Sequence, residues 1–313
     1  MTGREGRGAP APGSARAGVL YGVGAYVLWG LLPIYWKAIH GVPAREILCH
    51  RMAWSLLFTT LLLLPGGRWR RVLREARRPA TLFLFLLTAS LITVNWSVYI
   101  WAVTESRMVD ASLGYFINPL VHVFLGVLFL RERPRPAQWA AIAVAGAGVA
   151  WLAWRYGGVP WIALVLAATF GLYGLLRKTA PLDSLEGLSI EAALIFMPAL
   201  AYLLFLERTG AGAFGHAGAR IDILLALSGT VTALPLLWFA HAARRVRLVT
   251  IGVLHYIAPT LQFLLGVLVY GEPFERVRFI GFAAVWVALA LYTVDAVRAA
   301  RRARSPIPLP RTL

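Results

Sequence analysis

Ten stretches of about 20 apolar residues follow one another along this 313-residue chain, parted only by short charged bursts. That alternation constrains the fold more than any other feature. A helix rising about 1.5 Å per residue crosses the roughly 30 Å hydrocarbon core in such a length. The runs are continuously apolar and do not alternate residue by residue, which indicates helices, not a membrane barrel. The spans are read at 17–36, 43–64, 80–101, 108–130, 136–154, 159–177, 187–206, 221–242, 248–270 and 277–297. The first is too long for a signal-peptide core and contains Trp29 and Pro33, with no small-residue cleavage site after it. It is therefore expected to stay as the first helix.

The formal net charge of +17 invites a nucleic-acid partner, but the placement of the charges argues otherwise. If both ends face the cytoplasm, 22 of the 31 Lys and Arg fall on the cytoplasmic side, 8 fall outside, and Arg51 lies within a span. This asymmetry predicts an even number of spans and two cytoplasmic termini. The basic side is expected to meet anionic membrane lipid, and no nucleic-acid partner is called for. Cys49 is the only cysteine, so no internal disulfide is possible. Residues 1–16 and 299–313 are basic tails rich in Arg, Pro or Gly and are expected to be disordered.

Shifted by 140 residues, the chain matches itself. Ten identities fall between 102 and 132, among them Ile117/Ile257, Pro119/Pro259, Gly126/Gly266 and Glu132/Glu272. About three are expected by chance in so Ala- and Leu-rich a chain. At a shift of 141, Trp29-Gly30-Leu31 falls on Phe170-Gly171-Leu172, Lys37 on Lys178 and His50 on Glu191. The predicted fold is an all-α membrane protein of ten transmembrane helices in two five-helix repeats, 17–155 and 156–298. Because five is odd, the second repeat enters the membrane from the opposite side. Such inverted repeats give two near-equivalent arrangements, one open to each face, which is the logic of alternating access.

The run GYFINPL (114–120) places an amide and a proline in mid-span. Pro119 denies the Tyr115 carbonyl its helical partner, and Pro259 does the same to His255. Paired interruptions in corresponding spans mark a midplane site, and polar groups at that depth are tolerated where they face protein or a watery cavity. Tyr115, Asn118, Pro119, His255, Tyr256 and Pro259 are therefore expected to line a substrate pathway. A packing kink at either proline is the alternative. Asn95 and Trp96, deeper than the interfacial aromatics around them, are added as cavity-lining residues suited to amphipathic or cationic solutes. Glu46 and His50, one turn apart, and Arg51 form a second cluster. It reads either as a proton-coupling or gating group or as a salt bridge fixing the helix. Glu132 and Glu272 are read as caps for the helices that follow them. The small residues of 140–150, with Gly18 and Gly22, offer surfaces for close helix contact.

The runs GVGAYVLWGLLP (22–33), VPAREILCHRMAWS (42–55) and ASLGYFINPL (111–120) resemble the RarD subgroup of EamA-type permeases, in the drug/metabolite transporter superfamily. YIAPT (256–260) and the turn YGE (270–272) extend the resemblance over about 16–300. It implies two inverted EamA repeats in the bacterial inner membrane, a central cavity between them, and the fifth and tenth helices as scaffold. Relatives export amino acids, metabolites or drugs, and the RarD group carries a chloramphenicol-related label. No family catalytic motif is available to carry over.

A secondary transporter of small molecules, with export as the expected direction, follows from these features. No phosphate-binding GxxxxGK[ST] loop occurs, so direct ATP drive is not expected. An intramembrane enzyme would need a motif such as HExxH or GxSxG, and neither is present. The histidines are dispersed, so no metal site or cofactor is expected. A membrane sensor would need a signalling domain that the short tails do not provide. Monomer and homodimer both remain open.

Overall fold

The computed structural model describes residues 12–39, 41–65, 67–104, 108–155, 161–271 and 276–302. Among them all regular structure is helical: α1 (Pro12–Ala38), α2 (Ala44–Leu63), α3 (Arg68–Ala76), α4 (Pro79–Thr104), α5 (Met108–Leu130), α6 (Pro136–Arg155), α7 (Trp161–Thr179), α8 (Ser184–Thr209), α9 (Ala219–Arg245), α10 (Leu248–His255), α11 (Ile257–Leu264) and α12 (Arg276–Arg302). A π-helical turn, Leu265–Val269, continues α11. Among the described residues, eight segments are long and apolar enough to cross a membrane, counting Leu248–Val269 as one, and Gly114–Leu130 is a shorter apolar helix. The helical ends reach into both predicted tails, since α1 begins at Pro12 and α12 runs to Arg302.

Local chemistry explains several boundaries. The Asp183 side chain and Glu186 form a capping box at the start of α8, and Gly210, at φ 66°, ends that helix in the left-handed region. Residues 68–78, between the second and third predicted spans, contain α3. It turns buried Glu75 inward while Trp69 and Leu73 are exposed. The two proline spans differ. Helix α5 continues through Pro119, whereas the second span breaks at Tyr256, whose N–H turns back to the Val253 carbonyl. Close packing braces α5 at its proline: a Cβ on Gly252 would meet the Pro119 carbonyl at 2.6 Å, and one on Gly171 would meet Val121 at 2.6 Å.

Helices from the two halves of the chain interleave. Helix α1 packs on α9 and α11, α2 on α8 and α9, α4 on α7, and α5 on α7 and α10. Helices α6 and α12 pack on each other, with Gly148 facing Ala284 and the Gly281 carbonyl. Gly18 faces the Arg245–Val246 turn and Gly22 faces Leu254, so both small residues of α1 admit a neighbouring helix.

Candidate functional site

A cavity of about 120 Å³ opens between α1, α2, α4, α5, α7, α9, α10 and α11. One wall comes from α1, whose Tyr26, Trp29, Pro33 and Trp36 recur at helical spacing and so share a face. From Tyr26 to Trp36 that wall covers about 15 Å of helix rise. The opposite walls carry Asn95, Trp96 and Tyr99 from α4, Tyr115 and Asn118 from α5, and His255 and Gln262 from the broken span. Aromatic rings form the floor: Phe170 lies 5.6 Å from Trp29 and 5.1 Å from Phe239, and Tyr26 lies 4.9 Å from His255.

Five of the residues expected on a pathway line this cavity: Asn95, Trp96, Tyr115, Asn118 and His255. Pro119 and Tyr256 lie instead at a narrow seam of about 10 Å³ beside α6 and α12, where the Tyr256 hydroxyl donates to the Phe116 carbonyl. Pro259 belongs to neither group of lining residues. The prolines shape the backbone around the cavity while their neighbours on the next helical face meet it.

Polar satisfaction divides the lining groups. The Asn95 amide nitrogen donates to the Leu166 carbonyl at 2.8 Å and the Thr169 hydroxyl at 2.9 Å, so it ties α4 to α7. Gln262 donates to the Trp29 carbonyl at 3.2 Å. By contrast the buried Asn118 Oδ1 and both His255 ring nitrogens have no protein hydrogen-bond partner. Unpaired polar atoms are costly in a protein interior, and those of Asn118 and His255 border the cavity. His122, behind this wall, has a ring nitrogen 2.9 Å from the Asn118 carbonyl, and its ring centroid lies 6.0 Å from that of His255.

The Glu46–His50–Arg51 cluster divides. Glu46 accepts the backbone N–H groups of Ala213 and Phe214 at 2.7 and 3.4 Å, pinning the connection between α8 and α9. His50 sits 3.8 Å from that carboxylate, and its ring centroid lies 5.0 Å from that of Phe214 in a tilted arrangement. Arg51, one residue on, turns to the cavity. Its guanidinium lies 4.7 Å from the ring centres of both Trp36 and Trp96, and its Nε donates to Thr232 at 2.8 Å. Glu191, which the repeat sets opposite His50, is buried with Arg177 at 3.7 Å and accepts from Thr88 at 2.6 Å.

Glu132 does not cap the helix that follows it. It accepts the first N–H groups of α10, from Leu248 at 2.7 Å and Val249 at 3.0 Å, with the Lys178 ammonium 3.9 Å away. Lys178 also donates to the Ala243 and Val246 carbonyls. The corresponding Glu272 lies outside the described residues. Among the described residues, no three His, Cys, Asp or Glu side chains converge as metal ligands.

Tyr26, Trp29, Trp36, Tyr99 and Phe170 also line the cavity and were not among the expected pathway residues. The 26, 29, 33, 36 spacing in α1 was the available signal.

Residues 16–154 match the EamA-like transporter family. "Protein RarD" of Streptomyces exfoliatus is 49% identical over 290 residues, covering 93% of this chain and 92% of that protein. The chain belongs to the EamA-like transporter family. It is a RarD-type permease, a multi-pass bacterial membrane protein whose function is of the transporter type. "Chloramphenicol-sensitive protein RarD" of Pseudomonas aeruginosa (strain ATCC 15692 / DSM 22644 / CIP 104116 / JCM 14847 / LMG 12228 / 1C / PRS 101 / PAO1) is 33% identical, covering 91% of this chain and 96% of that one. A solved crystal structure, 20% identical, shares the fold at a TM-score of 0.67, covering 89% of this chain and 98% of that chain.

Proposed function

We propose that this RarD-type permease is a secondary transporter that exports small metabolites or amphipathic drugs by alternating access. Its ten spans form two inverted five-helix repeats, with α5 and α6 completing the first set of crossings, and its two termini are cytoplasmic. The central cavity is the substrate pathway. The Asn118 Oδ1 and both His255 ring nitrogens, buried and without a hydrogen-bond partner in the protein, are the observation that carries this reading.

Several features support the inverted repeats. Exchange of the halves maps α1 onto α7, α2 onto α8, α4 onto α9 and α6 onto α12. The α1–α9 contact then has its counterpart in α4–α7, and the α5–α7 contact in that of α11 with α1. Arg131 and Gly271, matched at 140 residues, both take positive φ, 52° and 63°, after equivalent helices. In the proposed orientation, the cavity lies toward the outer face. The aromatic floor and the Glu132–Lys178 contact at the start of α10 close the cytoplasmic side. Transport exchanges this closure for its symmetry mate across the membrane.

The test compares the medium of cells producing the wild type with that of cells producing an Asn118→Ala/His255→Ala variant at matched membrane levels. Untargeted profiling is expected to find a compound enriched outside only with the wild type, and its flux is then measured in proteoliposomes. Equal flux through a folded double variant rejects this pathway. Chloramphenicol enters the same flux panel, because a relative bears its name.

A further inference from the structure

Arg51 is a cation set into the cavity wall without a carboxylate partner. Among the described residues no Asp or Glu lies within 4 Å of its guanidinium, and none lines the cavity. The acid nearest in sequence, Glu46, turns away from it and accepts the Ala213 and Phe214 N–H groups through Oε1. Arg51 is half-buried, and a lone charge at this depth of a membrane protein is disfavoured unless it faces a partner or a watery cavity.

The geometry also decides which ligands fit. Trp36 and Trp96 flank the guanidinium from 4.7 Å each, so the two indole faces are already engaged by a cation. A cationic solute would find that aromatic cage filled and a like charge within it. Nε is held by Thr232 at 2.8 Å, and no hydrogen bond to a described residue uses the two terminal nitrogens. Those nitrogens form the planar fork that matches a carboxylate or phosphate. Around them the walls are largely ring faces and aliphatic side chains, Leu166, Phe170 and Leu236 among them.

Resting on the pathway reading above, we infer that the substrate is a small amphipathic anion, a carboxylate on an aromatic or branched apolar body. Arg51 holds its charged end, and Asn118 and His255 meet its polar substituents. The sequence alone pointed to amphipathic or cationic solutes, and the occupied Trp96 face turns that expectation toward anions.

The test uses the purified full chain in detergent and three probes that share one ring and differ in charge: phenylacetate, phenylacetamide and phenethylamine. Radiolabelled phenylacetate is expected to bind at one site per chain, at least roughly tenfold more tightly than either competitor. Arg51→Gln is expected to abolish that preference. Arg51→Lys keeps the charge but loses the fork, and is expected to weaken phenylacetate several-fold with little change for the amide. If Arg51→Gln does not fold, the Lys variant decides by that difference. Equal binding of the three probes, no saturable phenylacetate binding, or undiminished binding by a folded Arg51→Gln would each overturn the inference. Flux in proteoliposomes separates it from the pathway reading. If the amide or the amine is carried, and that flux is lost in Asn118→Ala/His255→Ala, the pathway stands and the anion assignment fails. If phenylacetate binds through Arg51 but crosses equally well in the double variant, the anion site stands and the pathway reading fails.

Discussion

Arg177 shows how a single residue can escape a sequence reading. Counted among the cytoplasmic loop charges, it is 1% exposed and lies 3.7 Å from equally buried Glu191. It also donates to the Ser184 carbonyl at 2.8 Å, beside the start of α8. Gly187 leaves the room: a Cβ there would strike the guanidinium. Breaking such a pair leaves an uncompensated buried charge, so Glu191→Leu is expected to destabilise the protein by roughly 3–5 kcal/mol. Thermal unfolding in detergent checks this, and Arg177→Met in the same chain should recover most of the loss. Arg131 carries a different strain, since its φ of 52° suits glycine. Arg131→Gly, which copies the matched Gly271, is expected to stabilise by about 1 kcal/mol. An unchanged or lower melting temperature would count against that strain.

At the scale of the element, the first turn of α10 depends on a side chain 116 residues earlier. Glu132 accepts the N–H groups of Leu248 and Val249, donors that a helix cannot satisfy internally. Glu132→Ala removes the cap and is expected to lower stability by about 1–2 kcal/mol. Glu132→Gln, which retains one acceptor, should lose less, and unfolding curves of the two variants compare them. Helix α3 makes its own demand. With Arg70 and Arg74 beside exposed Trp69 and Leu73, it has the composition of a helix lying on an anionic lipid surface. A polarity-sensitive dye on Leu73→Cys, in a Cys49→Ser background, is expected to report a more apolar setting when anionic lipid is added. No spectral change would place α3 away from the bilayer.

At the scale of the whole molecule, the interleaved packing makes the cavity a property of both halves, since α1, α2, α4 and α5 face α7, α9, α10 and α11 across it. Neither half encloses it alone. The 22-to-8 division of Lys and Arg predicts how the bundle sits in the membrane. Single cysteines at positions 5 and 305, in the Cys49→Ser background, are expected to resist an impermeant thiol reagent in intact cells and to react after lysis. Labelling of either end in intact cells would overturn the cytoplasmic placement.

Serial apolar runs, sparse charge and the GYFINPL and AREILCHR motifs were enough to read the class: an all-helical membrane protein of the EamA family. These features are local, and a helix in a bilayer satisfies its own backbone, so length and apolarity suffice to place it. Tyr115, Asn118 and His255 were legible as candidate lining residues because polar or kinked positions stand out against an apolar span. The rest needed the tertiary structure. Spanning helices are apolar on nearly every side, so no amphipathic face tells which stripe turns inward. Packing alone decided that Arg51 parts from Glu46 to lie between Trp36 and Trp96, that Glu132 reaches α10 instead of its own neighbour, and that α1 supplies the aromatic wall. Each is a contact between residues far apart in the chain, and only the geometry of the packed helices sets such distances.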